Sequence, residues 1–377
     1  MVTHVPLVDV AAQEAMVADE VFAALANVAR DGKFVLGPRV EAFEAWLADA
    51  CGTSHAVAVA SGTDAIELSL RALGIGVGDA VVTPAFSFIA AAEAIVATGA
   101  RPVFCDIDAG TMNATARTVD AAMVRARFAG LRVRCVVPVH LFGLCAPIED
   151  LAAIARRDGL ALVEDAAQAL GARDQMGRSA GATGDTGCFS FFPTKSLGAW
   201  GDGGAVVTSD HRVATRLRRL RAHGAVAPYV HAELGRNSRL DAIQAAVLLS
   251  KVPHLAAWQR MRERIAARYA HDLAHLPLEM PMAAVAPSVR GWNAFVVRVP
   301  KRRDALAAWL RERHIETRVY YPVPLHRQEC FRGLDEPELP CAEEACRTAL
   351  ALPMFPTMTE PQQDRVVEQI TRFFQQG

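Results

Sequence analysis

Between about residue 20 and residue 250, short apolar runs rich in Val, Phe and Cys alternate with Ala-rich stretches of helical character. That alternation is expected of parallel strands joined by crossover helices, and it restricts the chain to α/β architectures built on a sheet with helices packed against it. Seven runs read as strands: HAVAVAS, DAVVTPAFS, ARPVFCDID, RVRCVVPVHLF, LALVEDAAQ, GCFSFF and GGAVVTSD. Asp64 to Leu73 reads as the helix after the first strand, and Ile148 to Arg157 as another with Pro147 at its first turn.

From Ser238 the pattern changes to one long helical stretch, SRLDAIQAAVLLSKVPHLAAWQRMRERIAARYAHDL, in which Pro253 should force a break or kink. The segments GWNAFVVRVP, DALAAWLRERHIETRVYY and TMTEPQQDRVVEQITRFF then look like a smaller α+β unit. A chain of 377 residues has room for two to three core-forming units at roughly 150 residues each. The expected division is a large domain over residues 1–250 and a small C-terminal domain over 251–377. No internal repeat or low-complexity linker interrupts the pattern.

Composition narrows the partners. The 40 Lys plus Arg are balanced by 41 Asp plus Glu, and 52% of the residues are hydrophobic, so neither a disordered chain nor a nucleic-acid-binding surface is expected. The first twenty residues carry acids early and do not read as a secretory signal. No apolar run reaches the ~18 to 20 residues of a membrane span. The eight cysteines are scattered without a C-x-x-C pair, which argues against a zinc site, any metal and a disulfide framework. A reduced, cytoplasmic protein is expected.

Only Lys33, Lys195, Lys251 and Lys301 are lysines; the other 36 basic residues are arginines. Lys195 leaves an aromatic strand for a glycine-rich turn, CFSFFPTKSLGAWGDGGAVV, flanked by Phe191, Phe192, Pro193 and Trp200. Low polarity depresses an amine pKa and favours Schiff-base chemistry. Gly198, Gly201, Gly203 and Gly204 would let the chain pass close to a flat ligand. Lys33, mid-helical Lys251 and Lys301 lack such a setting.

Two further segments bear on the same chemistry. In VASGTDAIELSL a strand ends at Ser61-Gly62-Thr63-Asp64 and a helix begins, which suits a phosphate because small residues and a helix N-terminus face it. A plain helix cap by Ser61 or Thr63 is the alternative. In LALVEDAAQALGA an apolar strand ends in Glu164, Asp165 and Gln168, at the sheet edge where open α/β folds bind ligands. A structural salt bridge is the alternative there. The glycine cluster GIGVGD follows a helix and precedes a strand, the reverse of a dinucleotide fingerprint, and reads as a turn. In chain order the three chemical segments supply an anion cradle, a carboxylate for a pyridine nitrogen and an amine, which is what pyridoxal 5'-phosphate requires.

These residues resemble the DegT/DnrJ/EryC1/StrS sugar aminotransferases of pyridoxal-phosphate fold type I. The matching stretches are FVLGPRVEAFE, VASGTDAIELSLRALGIGVGD, VVTPAFSFIAAAEAI, PVFCDID, PVHLFG, VEDAAQALGA, FSFFPTKSLGAWGDGGAV, GRNSRLDAIQAAVL and YYPVPLHRQECF, in order from about residue 30 to 335. The resemblance implies an α/β fold with a mostly parallel seven-stranded sheet in the large domain. It implies that Lys195 forms the Schiff base, Asp165 pairs with the pyridine nitrogen and Gln168 lies by the phenolic oxygen. Phe88 is similar to the aromatic that stacks on the ring, and Gly62, Thr63, Asp64 and Ser190 match phosphate-binding positions. Asn237 resembles the asparagine that reaches the phosphate of a neighbouring subunit, with Arg239 beside it for a carboxylate, which implies a homodimer with shared sites.

The activity implied is transfer of an amino group from L-glutamate to a keto group on a nucleotide-linked hexose. VYYPVPLH resembles members acting on 3-keto sugars, with dTDP or UDP as the carrier, and makes Tyr320, Tyr321 and His326 candidates for the sugar side. Packing of the two domains is the alternative role for the tyrosines. Phe142 and Leu144 depart from the family, which often has tyrosine and a polar residue there. Lys195 argues against the dehydratase branch that carries histidine, and Gln168 favours a sugar over an aminohydroxybenzoate-type substrate. A 4-keto sugar nucleotide, a cyclitol, and a non-catalytic cofactor-binding regulator are the other readings.

Overall fold

The computed structural model describes residues 4–334 and 337–376. All seven apolar runs become strands of one sheet: β1 (His55–Val59), β2 (Ala80–Pro84), β3 (Arg101–Cys105), β4 (Val133–Val136), β5 (Ala161–Asp165), β6 (Thr186–Ser190) and β7 (Gly204–Thr208). Their spatial order is β1-β7-β6-β5-β4-β2-β3. β7 alone runs antiparallel, between β1 and β6, and every other pairing is parallel. Side chains alternate across the sheet. Val57, Val59, Val163 and Val206 enter one apolar layer with Ile66 and Leu68, and Ala56, Ala58, Phe189 and Val207 enter the opposite layer with Phe43 and Leu47.

The helix after β1 spans Gly62–Ala72 and the one expected after Pro147 spans Ile148–Asp158. The GIGVGD segment is the turn its order implied: Gly74 and Gly78 adopt positive φ, and the Asp79 carboxylate accepts the Gly76 N–H at 3.0 Å and the Arg132 guanidinium. Pro253 breaks the long helical stretch as expected. One helix ends at Lys251, a 3₁₀ turn spans Val252–His254, and a second helix runs Leu255–Asp272.

A short hairpin of β8 (Ala225–Ala227) and β9 (Val230–His231) follows the large sheet. After residue 290, β10 (Phe295–Arg298) pairs antiparallel with β11 (Ala349–Leu352). Helices Arg303–Glu312 and Glu360–Gln375 bury Leu306, Leu310, Val366 and Ile370 against that pair. Val5 pairs with Ile315 and belongs to this same core, so the beginning of the chain packs on its C-terminal part. Among the described residues no helix is long and apolar enough to cross a membrane, and none of the His, Cys, Asp and Glu side chains form a metal-holding group. All eight cysteines are free.

Candidate active site at the carboxyl edge of the sheet

Asp165 is the last residue of β5 and only 5% exposed. Its backbone N–H donates to Pro138 O at 2.9 Å, its carbonyl accepts the His140 N–H at 3.0 Å, and its Oδ1 accepts the Ala167 N–H at 3.0 Å. Burial pushes this carboxyl above the ordinary range, while the Ala167 N–H and the Lys195 charge pull it back. Burial lowers the Lys195 amine, and Asp165 opposes that shift. The two groups therefore share one low-polarity space with opposite tendencies. Among the described residues the Lys195 amine has no hydrogen-bond partner, which leaves it available to a ligand.

The turn around Lys195 is rigid. Lys195 N–H donates to Phe192 O at 2.8 Å and Ala199 N–H to Phe191 O at 2.7 Å. A Cβ at Gly198 would lie 2.3 Å from Pro193 O, so only glycine closes this turn. The expectation that these glycines clear space for a flat ligand needs correction at three positions. Close approach at Gly198, Gly203 and Gly204 is to Pro193, Leu240 and Ser61 of the chain itself.

The phosphate candidates converge at the start of the Gly62–Ala72 helix. Ser61 is the N-cap, accepting the Asp64 N–H at 3.1 Å, so the capping alternative describes Ser61 itself. Asp64 Oδ2 accepts the hydroxyl of fully buried Ser238 at 2.6 Å, and Ser238 Oγ in turn accepts the Ala60 N–H at 3.2 Å. Ser190, the last residue of β6, closes the other side: a Cβ on Gly62 would sit 2.7 Å from Ser190 Cβ. Gly62, Thr63, Asp64 and Ser190 thus lie together at a helix N-terminus.

Gln168 joins the sugar-side candidates. Its Oε1 accepts the Phe142 N–H at 2.8 Å and its Nε2 donates to the Tyr321 hydroxyl at 3.0 Å. The Tyr321 ring lies 5.8 Å from Phe86, 6.3 Å from Phe88, 6.4 Å from Phe142 and 5.6 Å from Tyr320. Phe88, 55% exposed, is the open wall of this aromatic group. His326 lies elsewhere. It is buried against Phe104 and donates from Nε2 to the Glu343 carboxylate at 3.2 Å. Asn237 is exposed, its backbone bridged to Ala222, and partly buried Arg239 has no ion-pair partner among the described residues.

Two features escaped sequence reasoning. His140 and Glu164 are both fully buried behind Asp165. The Ala146 N–H donates to His140 Nδ1 at 3.0 Å, so Nε2 carries the proton that reaches Glu164 Oε2 at 2.8 Å. Glu164 also accepts the N–H groups of Gly181, Thr183 and Gly184 at 2.6 to 2.9 Å. The adjacency of Glu164 to Asp165 was visible, but the donors come from loops far along the chain. Lys251 is the second correction: it is 1% exposed and its amine is also lowered by burial, so Lys195 is not alone in a low-polarity setting. The two differ in that Lys251 is bound to Glu14 and to Gly198 O, whereas Lys195 is unengaged.

Comparison with known proteins identifies relatives over nearly the whole chain. The chain is 42% identical over 370 residues to UDP-N-acetyl-3-dehydro-alpha-D-glucosamine 3-aminotransferase of Acidithiobacillus ferrooxidans, covering 98% of each. It is 43% identical over 370 residues to dTDP-3-amino-3,4,6-trideoxy-alpha-D-glucose transaminase of Streptomyces venezuelae, covering 97% of this chain and 95% of the relative. The crystal structure of S. venezuelae DesV in complex with a ketimine intermediate matches with a TM-score of 0.93 at 43% identity, over 98% of each chain. A profile of the DegT/DnrJ/EryC1/StrS aminotransferase family matches residues 16–371, and the chain belongs to that family.

Proposed function

We propose that the protein moves the amino group of L-glutamate to the keto group of a nucleotide-linked hexose, using pyridoxal 5'-phosphate and giving an amino sugar nucleotide. The observation that carries this reading is the unengaged, burial-lowered Lys195 amine sharing a site with the buried Asp165 carboxylate. The residues fit the cofactor: the buried Lys195 amine and Asp165 carboxylate face one another's charge, and Ser190 packs against Gly62 at the start of the Gly62–Ala72 helix, whose N-terminus favours an anion. Bound there, pyridoxal 5'-phosphate supplies a carbonyl that accepts and returns an amino group and a protonated ring that withdraws electrons from the carbon being deprotonated.

The chain's own groups then divide the work. Gly62, Thr63, Asp64 and Ser190 hold the phosphate through backbone N–H groups, hydroxyls and the helix dipole. Asp165, kept from water, holds the proton on the ring nitrogen by ion pairing. Lys195 removes the α proton of glutamate with Nζ, and burial aids this by leaving more of the amine unprotonated near neutral pH. With the cofactor bound, Gln168 would lie by its phenolic oxygen and Phe88 would stack on its ring. Tyr320 and Tyr321 line the sugar side, His326 is turned away to Glu343 and takes no part there, and Asn237 and Arg239 act in the site of a second copy in a homodimer.

Both curated relatives carry a 3-amino or 3-keto designation, which supports C3 as the aminated carbon and UDP or dTDP as the carrier. The division into a cofactor-binding domain over 1–250 and a small domain over 251–377 is supported by β1 to β7 preceding, and β10 and β11 following, that point. Eight free thiols support a reducing, cytoplasmic setting. Thermal-shift titration tests the substrate class: UDP or dTDP should raise the melting temperature of the holoenzyme. Stabilisation by free cyclitols with none by nucleoside diphosphates would replace the sugar-nucleotide reading with the cyclitol one.

A further inference from the structure

Lys251 ends the Ala242–Lys251 helix, and its ammonium is driven into the protein where water cannot reach it. It donates to Gly198 O at 2.6 Å and pairs with one oxygen of Glu14, from the short Val10–Ala15 helix. The other Glu14 oxygen accepts the Trp200 indole N–H at 2.5 Å. Gln244 grips the Trp200 backbone from both sides, accepting its N–H at 2.8 Å and donating to its carbonyl at 3.2 Å. The Phe22 ring packs edge-on against the Trp200 ring at 5.6 Å. Residues 198 and 200, just downstream of Lys195, are thus held from two separate helical regions.

A buried ion pair is a weak source of stability, because removing two charges from water offsets most of their attraction and apolar residues of like volume often serve as well. What the pair supplies here is direction. Lys195 has no hydrogen bond at its amine, so its backbone turn is the one fixed point from which Nζ reaches the site. One side of that turn is fixed by its own bonds to Phe191 and Phe192. The other is fixed by Lys251 and, through Glu14, by Trp200. We infer that Glu14 and Lys251 form a positioning clasp that sets the Lys195 turn against the carboxyl edge of the sheet. The inference rests on the reading above that Lys195 moves the proton. Displacing a proton-moving atom by about 1 Å costs on the order of 100-fold in rate.

Lys251→Met, Glu14→Ala and Lys195→Ala are compared with the parent, as apoproteins by amide hydrogen exchange and as holoenzymes by kinetics and absorption. Should Lys251→Met fail to fold, Glu14→Ala carries the test, since Glu14 is partly solvated and its loss frees Trp200 and the ammonium together. Exchange across residues 193–204 of the apoprotein is expected to quicken about tenfold or more while β1 to β6 keep parental rates. Turnover kcat is expected to fall about 10- to 100-fold with KM for L-glutamate within about twofold. The pH midpoint of the lysine-bound cofactor's visible band should move from the parental value. Parental exchange across 193–204 with parental kcat overturns the clasp, and so does an equal loss of protection across the whole sheet. The Lys195→Ala control separates the two layers: retained turnover there refutes the role of Lys195 itself, whatever the clasp variants do.

Discussion

Gly62→Ala tests the packing that shapes the proposed anion site, where Gly62 meets Ser190. The added Cβ would meet Ser190 Cβ at 2.7 Å, Oγ at 3.2 Å and Cα at 3.3 Å. Unbonded carbons settle at ~3.5 to 4.0 Å, so the two segments must part by roughly 1 Å. Neither yields freely. Ser190 is paired with Gly204 in the sheet, and Gly204 itself is so close to Ser61 that a Cβ there would lie 2.2 Å from Ser61 O. The expected cost is the ordinary one of overpacking, about 1 to 3 kcal/mol. Because the strain falls on the first turn of the helix whose N–H groups face the phosphate, cofactor affinity should drop about tenfold for each ~1.4 kcal/mol felt in the bound state. Ser190→Gly removes the opposing Cβ. The double variant should therefore recover part of the loss, with a coupling of about 1 to 2 kcal/mol. Urea unfolding of the apoproteins and equilibrium dialysis with pyridoxal 5'-phosphate measure the two effects. Parental affinity in Gly62→Ala, or strict additivity with Ser190→Gly, would refute this packing as what shapes the site.

Three other outcomes follow from the same geometry. Glu164→Gln should destabilise by about 3 kcal/mol or more, since every partner of the carboxylate is a donor and no rotation of the amide avoids setting NH₂ against N–H; an unchanged urea midpoint would contradict the buried cluster of backbone donors around the carboxylate. For His326, burial lowers the imidazole pKa, Glu343 and Asp106 oppose that shift and Arg327 adds to it, so the native state binds fewer protons than the unfolded one. The stability it contributes is full above the ordinary histidine value of about 6.5 and is lost as pH falls through that value towards the lowered native one; His326→Gln should flatten this acid limb in urea titrations from pH 8 to 5, and an unaltered limb would exclude His326 as its source. Mixing Asn237→Ala with Lys195→Ala subunits should regain activity, because each mixed dimer rebuilds one site, and no recovery over the separate variants would argue against cross-subunit supply.

Much of the fold was legible because strands and helices are written locally. The seven apolar runs each became a strand, and Pro253 broke the long helix for the covalent reason that proline lacks an N–H. The reversal of β7 between β1 and β6 was not legible, since an apolar run of five residues carries no sign of its direction. Asp165 and Lys195 stood out because a carboxylate and an amine in apolar surroundings have few structural uses. Lys251 was passed over as a mid-helix lysine because its partner Glu14 lies far from it in the sequence, and only folding puts the two together. The donors to Glu164 were hidden for the same reason. Glycine was the ambiguous letter: Gly198 and Gly204 were read as room for a ligand but serve close passage of the chain over itself.

On the proposed function, Lys195 moves the proton that lets the bound cofactor take an amino group from glutamate and pass it to a nucleotide-linked keto sugar. The most direct measurement mixes the holoenzyme with L-glutamate alone and follows 2-oxoglutarate and the cofactor spectrum before any sugar is added. One equivalent of 2-oxoglutarate per active site, with full conversion of the cofactor to its aminated form and reversal on adding a UDP- or dTDP-linked 3-keto hexose, is the predicted result, and Lys195→Ala should show neither step. An unchanged spectrum with glutamate, or the same conversion at the same rate in Lys195→Ala, would contradict it.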